Sequence, residues 1–253
     1  MTAIAGTWRM ASASTRQLLR SSEVITTMVV FPGALLVFLW LFSDLRFEVE
    51  SGAVPLMELW VTGLGVLSVA LGNGHAFLAN IATWKAGGVL KRISITPISP
   101  GQLILGEVVP RAVMGIITIV GFLVAGRALG ANIGIGTEIV AVIPVMAMVT
   151  VIGISVAFII AGLTRTPQNA NAVDSAVSFP LYLFTGAMFP LSAFPDWLEQ
   201  AAYLIPYTGL IATVRGIVLE GRPLTAFGPE LAIPAVWMVL LFLLAARTYR
   251  LVK

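Results

Sequence analysis

The chain lacks cysteine altogether and has a single histidine, His75. No disulfide or thiolate metal site is therefore possible, and a metal site built on histidines is not expected. Charge is scarce as well, because only 11% of the 253 residues are charged, against about 25% in typical soluble domains. So few charges cannot cover a water-facing surface, and lipid is the expected solvent for most of it.

Motifs of nucleotide and hydrolytic chemistry are also missing from the sequence. It contains no G-x-x-x-x-G-K-[ST] loop for binding ATP, no H-E-x-x-H and no G-x-S-x-G. The nearest look-alike, residues 153–157, ends in alanine and is predicted to lie mid-helix, where small residues pack helices together. We therefore predict that the chain is not an enzyme and holds no cofactor or metal of its own.

Long apolar runs are what the sequence has in abundance, with 58% hydrophobic residues and a mean hydropathy of +0.97. A spanning helix needs about 20 mostly apolar residues, and unbroken runs favour helices over the alternating strands of a barrel. The predicted fold is an all-α integral membrane protein, with one transmembrane domain over residues 1–253. The first run is too long for a cleavable signal peptide and is predicted to be retained. Six spans are predicted: Val24–Phe42, Leu56–Ala82, Leu103–Val124, Ile139–Leu163, Val173–Phe189 and Leu231–Ala246.

Basic residues are divided unequally between the two sides that six spans define. Because Lys and Arg favour the cytoplasmic side, both termini are predicted there, and the net charge of +3 is explained by topology. The tails and the loops after the second and fourth spans hold ten: Arg9, Arg16, Arg20, Lys85, Lys91, Arg92, Arg165, Arg247, Arg250 and Lys253. The opposite side holds Arg46, Arg127, Arg215 and Arg222, with most of the acids.

Residues 1–22 are too polar to span a bilayer but have helical periodicity. Arg9, Arg16 and Arg20 fall on one stripe, and Trp8 lies with the apolar residues opposite. This segregation predicts an amphipathic helix lying in the inner membrane interface. A frayed tail is the alternative.

Residues 190–228, between the fifth and sixth predicted spans, are semi-apolar and interrupted by prolines. The sequence P-D-W at 195–197 is typical of a helix start, and Thr208 is predicted to cap a second short helix that ends at Gly221. Both pieces are too short to cross a membrane. A re-entrant hairpin in the outer leaflet is therefore predicted, with an ordinary surface loop as the alternative.

Ionisable residues at membrane depth are candidates for function. His75, in the second span, is expected to be a hydrogen-bonded interior histidine, with a proton relay as the alternative. Glu107 and Arg111 are four residues apart on the third span, so the two charges are expected to pair on one face. Asp174 is predicted to lie at the cytoplasmic start of the fifth span, where a carboxylate suits a helix N-terminus.

The segment 84–100, between the second and third spans, contains the sequence G-V-L-K-R-I-S-I-T-P-I-S-P at residues 88–100. It is amphipathic, too short to span, and separated from the third span by prolines. Apolar knobs beside a basic rim suit docking in the groove of a partner, and a solvated basic loop that only sets topology is the alternative. The predicted contacts are Leu90, Lys91, Arg92, Ile93, Thr96 and Pro97.

This segment resembles the G-T-L-x-R-L-x-x-T-P-L-S-P stretch of ABC-2 type exporter permeases, in particular the daunorubicin-resistance-like group that exports drugs and lipids. The runs G-A-M-F-P-L at 186–191, P-D-W-L at 195–198 and P-Y at 206–207 are similar to the outer hairpin of that family. The resemblance covers nearly the whole chain. It implies that the segment 84–100 is the coupling helix that contacts an ATP-hydrolysing subunit. It also implies an outer gate formed by Phe189, Pro190, Phe194 and Trp197.

By this resemblance the chain is expected to be the permease subunit of an ATP-driven exporter in a bacterial plasma (inner) membrane. Its expected partners are two ABC ATPase subunits, which hold ATP and magnesium, a second permease that is identical or homologous, and membrane lipid, but no nucleic acid. The expected cargo is an amphiphilic drug or lipid. A polysaccharide-exporting permease and a stand-alone secondary transporter or channel are the alternatives. The cargo path is expected to run along Phe31, Phe38, Phe179, Tyr182 and Phe184.

Overall fold

The computed structural model describes residues 15, 30–41, 46–49, 52–88, 100–164 and 166–248, some of them by their backbone alone. The elements in chain order are α1 (Phe31–Trp40), β1 (Arg46–Val49), β2 (Gly52–Pro55), α2 (Leu56–Ala86), α3 (Pro100–Ala128), α4 (Glu138–Leu163), α5 (Pro167–Phe184), α6 (Asp196–Ala202), α7 (Pro206–Glu220) and α8 (Gly228–Thr248). Short 3-10 turns at Leu191–Ala193 and Leu224–Phe227 precede α6 and α8.

Helix α2 is the central element of the bundle and packs against α1, α3, α4, α5 and α7. In α2, 78% of the apolar stretch is buried, whereas only 11% is buried in α8, which packs at the periphery. Glycines explain how closely the neighbours approach α2, since a Cβ at Gly63 would collide with the backbone of Ala187 and one at Gly74 would lie 3.4 Å from the Gly153 carbonyl oxygen. The small residues of α2 therefore serve contacts within the chain.

Apolar side chains gather in two clusters, toward opposite ends of the bundle. One cluster joins the end of α2, the start of α3, the end of α4, the start of α5 and the end of α8, through Phe77, Ile81, Ile104, Phe158, Ala170 and Ala245. The end of α2, the start of α3, the end of α4, the start of α5 and the end of α8 therefore lie together. We call this the basic end, because several Lys and Arg residues lie in or next to these elements in the sequence.

The opposite end, here called the hairpin end, joins the start of α2, the α3–α4 connection and the end of α7. The backbone N–H of Asn132 donates to Glu58 Oε1 at 3.1 Å, and the N–H of Gly134 donates to the Val218 carbonyl at 2.7 Å. Arg127 donates to the Ile133 carbonyl at 2.6 Å. These bonds satisfy backbone groups of a connection that has no regular secondary structure of its own.

Four helices in the described ranges are long and apolar enough to cross a membrane: Leu56–Ile81, Gly106–Ala128, Glu138–Leu163 and Leu224–Thr248. Helices α6 and α7, bent by 89° at their junction, make a fifth if they form one broken span. The chain is therefore a mostly helical, multi-pass membrane protein. Of the predicted spans, the second, third, fourth and sixth correspond to the four helices. The first is described only over α1, and the number six stays a prediction.

Helix α5 differs from the predicted fifth span at Val173–Phe189. It begins earlier, at Pro167, because proline suits the first helical position and the Thr166 side chain accepts a hydrogen bond from the Asn169 N–H at 3.2 Å. It ends before Gly186, whose φ of +76° is outside the helical region. The earlier start places Asp174 inside the helix, so the prediction that this carboxylate lies at a helix N-terminus was wrong.

The described residues are mostly helical, as predicted, with one short two-stranded hairpin as an exception. Strands β1 and β2 pair antiparallel, from Arg46 opposite Pro55 to Val49 opposite Gly52, and lead directly into α2. Phe47 and Val49 alternate with Glu48, a period of two that is typical of a strand. This alternation is too short to stand out beside the apolar runs.

Helices α6 and α7 lie where two short helices were expected. Helix α6 follows Pro195 as predicted, and α7 ends at Gly221, whose φ of +65° forms a left-handed cap. The predicted capping role of Thr208 was wrong, because α7 begins at Pro206 and the Thr208 hydroxyl donates to the Ala202 carbonyl at 2.7 Å. The junction lies beside the middle of α8, where Trp237 donates to the Leu204 carbonyl at 2.9 Å. It is on the exposed side of the bundle, since Leu204 is 63% exposed.

Candidate functional site

A cleft of about 260 Å³ opens between α2, the loop after α5, and helices α6 and α7. We call it the outer cleft, because it lies toward the hairpin end. Among the described residues, two charged side chains line it, Arg215 of α7 and Glu199 of α6. Hydroxyl groups line it as well, on Thr185, Ser192, Tyr203 and Thr208. The outer cleft therefore combines opposite charges with hydrogen-bonding groups in one partly enclosed space.

Arg215 reaches across the outer cleft and joins three segments of the chain. Its guanidinium donates to the Gly186 carbonyl at 3.0 Å, to the Leu59 carbonyl at 3.3 Å and to Thr62 Oγ1 at 3.3 Å. All three acceptors are uncharged. Within the part of the chain that the structure describes, no carboxylate lies within 4.0 Å of this guanidinium. Arg215 is thus a half-buried cation held by neutral oxygens.

The loop after α5 is held tightly against α2, which makes one wall of the outer cleft rigid. Trp60 Nε1 donates to the Met188 carbonyl at 2.8 Å. Nearby, Gly63 leaves space for the backbone of Ala187, so the loop and the helix touch without an intervening side chain. Arg215 adds its bond to the Gly186 carbonyl. The loop therefore cannot move away from α2 without breaking several contacts.

The residues predicted as an outer gate are only partly brought together. The rings of Phe184 and Phe194 lie 5.9 Å apart, and Pro190 is buried in the wall of the outer cleft. Trp197, in contrast, is 70% exposed on the outer surface of α6. Phe189 is half-buried in the loop between α5 and α6.

The residues predicted to line a cargo path lie in different environments. Phe179 is 67% exposed on α5 and Phe38 is exposed on α1. Tyr182 packs against the core of the hairpin end, and Phe184 meets Phe194 of the predicted gate. For Phe31 only the backbone is described. Two of these rings are therefore exposed, and the role of the five residues in a path stays a prediction.

The His75 ring nitrogen Nε2 contacts the Asp174 carboxylate and so joins α2 to α5. Ser178, one turn further along α5, lies 3.5 Å from the same ring nitrogen, Nε2. The histidine side chain is 38% exposed, whereas that of Asp174 is largely buried. Because both partners approach one nitrogen, this is not the relay of a catalytic triad, in which the carboxylate and the hydroxyl use opposite ring nitrogens. The geometry instead fastens α5 to α2.

Glu107 and Arg111 pair on one face of α3, as the sequence predicted. The Arg111 side chain is fully buried and its guanidinium lies 4.8 Å from the centre of the Phe77 ring. Asn73 of α2 donates to the Arg111 carbonyl and to Thr150 of α4, both at 3.4 Å. This polar layer links three helices in the core near Pro110, where proline interrupts the backbone hydrogen bonds of α3.

Two predicted sites lie outside the described residues. They are the coupling contacts Leu90, Lys91, Arg92, Ile93, Thr96 and Pro97, and the interfacial residues Trp8, Arg9, Arg16 and Arg20. The ends of the coupling segment are described, at the end of α2 and the start of α3. Both belong to the basic end of the bundle.

A sequence model of the ABC-2 family transporter protein matches residues 58–247, which includes nearly all of α2 and every helix after it. The chain belongs to the ABC-2 family. The permeases of this family are transmembrane proteins, in agreement with the spans described above. The family expected from the coupling segment and the outer hairpin is thereby confirmed.

Individual ABC-2 relatives support the same conclusion. Nodulation protein J of Bradyrhizobium diazoefficiens is 29% identical over 143 residues, which cover 54% of this chain and 50% of the relative. Nodulation protein J of Rhizobium meliloti is 24% identical over 172 residues, 68% of this chain and 64% of the relative. ABC transporter G family member 20 of Dictyostelium discoideum is 23% identical over 137 residues, 54% of this chain and 19% of the relative. The matched region thus spans about a half to two thirds of each nodulation protein.

Sequence reasoning missed the two polar contacts that join distant helices. Arg215 was counted only as a loop cation, although its position among the apolar residues of α7 could have marked it as a buried charge. The pairing of His75 with Asp174 had no local signal, because the two residues lie on different helices far apart in the chain.

Proposed function

We propose that this chain is the membrane half-subunit of an ATP-driven exporter, working with separate ABC ATPase chains. Membership of the ABC-2 family is the observation that carries the proposal, because the match covers α2 to α8. A second permease, identical or homologous, completes the transporter. ATP and magnesium belong to the ATPase partner, since the sequence offers no P-loop.

The ATPase docks on the segment between α2 and α3. This segment joins two helices that pack against each other along the core, so a push on it reaches α2, the central helix. Helix α2 in turn contacts the loop after α5 and the outer cleft through Trp60 and Gly63. ATP-driven motion at the basic end thus has a continuous packed route to the hairpin end.

A charge reversal tests the docking assignment. The double variant Lys91→Glu, Arg92→Glu should insert normally but lose both ATPase stimulation and export. Its two new carboxylates would repel an ATPase surface that is complementary to the native cations. Arg247→Glu, exposed at the end of α8 on the same end of the bundle, is the matched control and should behave as wild type. Normal export by the double variant would rule out this docking segment.

The topology we propose has six spans, with both termini in the cytoplasm of a bacterium and the chain in the plasma membrane. The unequal distribution of Lys and Arg supports this orientation. Helices α6 and α7 then form a re-entrant hairpin in the outer leaflet. Support for re-entrance comes from the depth of the α6–α7 junction and from the return of α7 to the hairpin end. Residues 1–22 form an interfacial helix on the inner side.

The cargo is an amphiphilic drug or lipid that moves between two permeases, past the exposed faces of α1 and α5, and leaves by the outer hairpin. The scarcity of polar residues in the spans favours an amphiphile over a polysaccharide, for which aromatic and polar side chains would form a track. A deletion strain should show changed resistance in a panel of toxic compounds or a changed lipid profile. Loss of a surface glycan with unchanged resistance would favour polysaccharide export instead.

The main competing function is a stand-alone secondary transporter or channel, which needs no ATPase. Purification of the tagged full-length chain from native membranes in mild detergent separates the two functions. We expect a P-loop protein to copurify in a stoichiometric amount and to hydrolyse ATP. Its absence, together with uptake or efflux that continues without ATP, would support the alternative.

A further inference from the structure

The two charges of the outer cleft do not neutralise each other. Arg215 and Glu199 line the same space, yet no ion pair within 4.0 Å joins them among the described residues. Arg215 has only uncharged acceptors. Removing charges from water costs free energy that is recovered only when each charge meets a close partner. The outer cleft therefore presents a separated positive and negative group to whatever enters it.

The dimensions of the outer cleft select a compact group. Its volume of about 260 Å³ is slightly below the range of roughly 300–1,000 Å³ in which drug-sized ligands are enclosed. A whole amphiphile does not fit, but a headgroup of a few heavy atoms does. Leu59, Leu191 and Ile211 supply apolar wall beside the charges. An alkyl chain leaving the cleft would therefore run over apolar surface.

Hydroxyl groups add uncharged oxygen acceptors to the wall of the outer cleft. Thr185 and Thr208 already donate their protons to the carbonyls of Leu181 and Ala202, at 2.5 and 2.7 Å. Their oxygens remain available as acceptors. Acceptors near Glu199 suit a cationic or N–H-bearing group, while Arg215 suits carboxylate or phosphate oxygens.

We propose that the outer cleft binds the zwitterionic headgroup of an amphiphile, with its carboxylate or phosphate against Arg215 and its ammonium toward Glu199. This inference rests on the proposed function only for placing the cleft at the outer membrane surface. Binding itself requires neither the ATPase nor nucleotide. The proposal assigns a ligand to the hairpin end. The feature that the outer cleft recognises is the presence of opposite charges on one headgroup.

The test measures binding to the purified full-length chain in micelles of dodecyl maltoside, an uncharged detergent. Three probes with the same alkyl chain are compared: dodecylphosphocholine, dodecyl phosphate and dodecyltrimethylammonium. Wild type should bind the phosphocholine most tightly. Glu199→Gln should weaken phosphocholine binding roughly tenfold, because the attraction between Glu199 and the choline ammonium is lost. It should strengthen dodecyl phosphate binding, because the repulsion between Glu199 and the phosphate is removed. Arg215→Gln should weaken the binding of both phosphate-bearing probes.

Arg222→Gln is the matched control, because Arg222 is an exposed cation near the same end, 3.6 Å from Glu220 and outside the lining of the outer cleft. It should bind all three probes as wild type does. If Arg215→Gln does not fold, because it also loses the bonds to Leu59 and Gly186, Glu199→Gln decides alone. Equal affinity of wild type for the three probes would overturn the proposal. So would a Glu199→Gln variant whose affinities for dodecylphosphocholine and dodecyl phosphate match those of wild type.

Glycerophosphocholine, which carries the same headgroup without a chain, separates a lipid from a soluble zwitterion. It should compete at least tenfold less well than dodecylphosphocholine, because the apolar wall contributes nothing to its binding. Equal competition would overturn the assignment to an amphiphile. No ATPase enters this experiment, so a failure to copurify one would count against the exporter function and leave the binding result unaffected.

Discussion

Adding one methyl group at Gly63 should damage the contact between α2 and the loop after α5. A Cβ at this position would lie 2.5 Å from the Ala187 Cα, 2.6 Å from its carbonyl oxygen and 2.9 Å from its carbonyl carbon. All three atoms belong to the backbone, so no side chain can rotate away. In Gly63→Ala the loop must retreat from α2, which also stretches the Trp60–Met188 and Arg215–Gly186 hydrogen bonds.

The expected cost follows from two opposing terms. Overpacking of a close contact costs about 1–3 kcal/mol, and the stretched hydrogen bonds add to this. Replacing glycine by alanine within a helix returns about 1 kcal/mol. We therefore expect Gly63→Ala to destabilise the protein by roughly 1–2 kcal/mol, which corresponds to a fall in Tm of about 2–8 °C at this chain length.

Gly121→Ala is the matched control, since Gly121 also lies within a spanning helix but has nothing within 4 Å of an added Cβ. Thermal stability of both variants and wild type can be measured in detergent by size-exclusion chromatography after heating. Gly121→Ala should match or exceed the Tm of wild type while Gly63→Ala falls below it. Equal Tm values for the two variants would refute the reasoning, because helix propensity alone would then account for both.

Three further predictions use the same protein. Glu107→Gln or Arg111→Met alone should destabilise it by about 3–5 kcal/mol, because each leaves a buried charge without its partner. The fall in Tm of the double variant should be clearly smaller than the sum of the falls in the two single variants. Additive falls in Tm would contradict the pairing. Gly221→Ala should cost about 1 kcal/mol, measured as a lower Tm, because the α7 cap has a φ of +65°. Since the chain has no cysteine, single introduced cysteines report topology directly. An impermeant maleimide should label Asn132→Cys in intact cells and Gln168→Cys only after permeabilisation. The reverse pattern would show that the orientation is opposite to the one proposed.

Much of the architecture is predictable because membrane helices are specified by short-range properties. The apolar runs that became α2, α3, α4 and α8 are long enough to be recognised one at a time. The start of α6 after Pro195 and the end of α7 at Gly221 were predictable, because the backbone preferences of these two residues act locally. The start of α5 was predicted too late, because its first turns are polar and carry no apolar signal. Only the Thr166 cap and Pro167 mark its start.

The candidate sites likewise divide into those set by local sequence and those set by packing between helices. The pair Glu107–Arg111 was predictable, because four residues on one helix bring two side chains to the same face whatever the rest of the chain does. The contact of His75 with Asp174 was not predictable, because it depends on how α2 and α5 pack. The same holds for Arg215, which looked like one of four cations on the outer side.

The sequence by itself determined that this protein is a bundle of membrane helices of the ABC-2 family. The scarcity of charge and the absence of cysteine are read directly from composition. The family motifs are read from the order of neighbouring residues. Only the tertiary structure decided where the few remaining charges lie relative to one another. Arg215 and Glu199 share the outer cleft, without pairing, because α6 and α7 bend by 89° at their junction. Bonds to Leu59 and Thr62 hold Arg215 in place. These two residues lie more than a hundred positions away in the chain, so no local pattern encodes the arrangement.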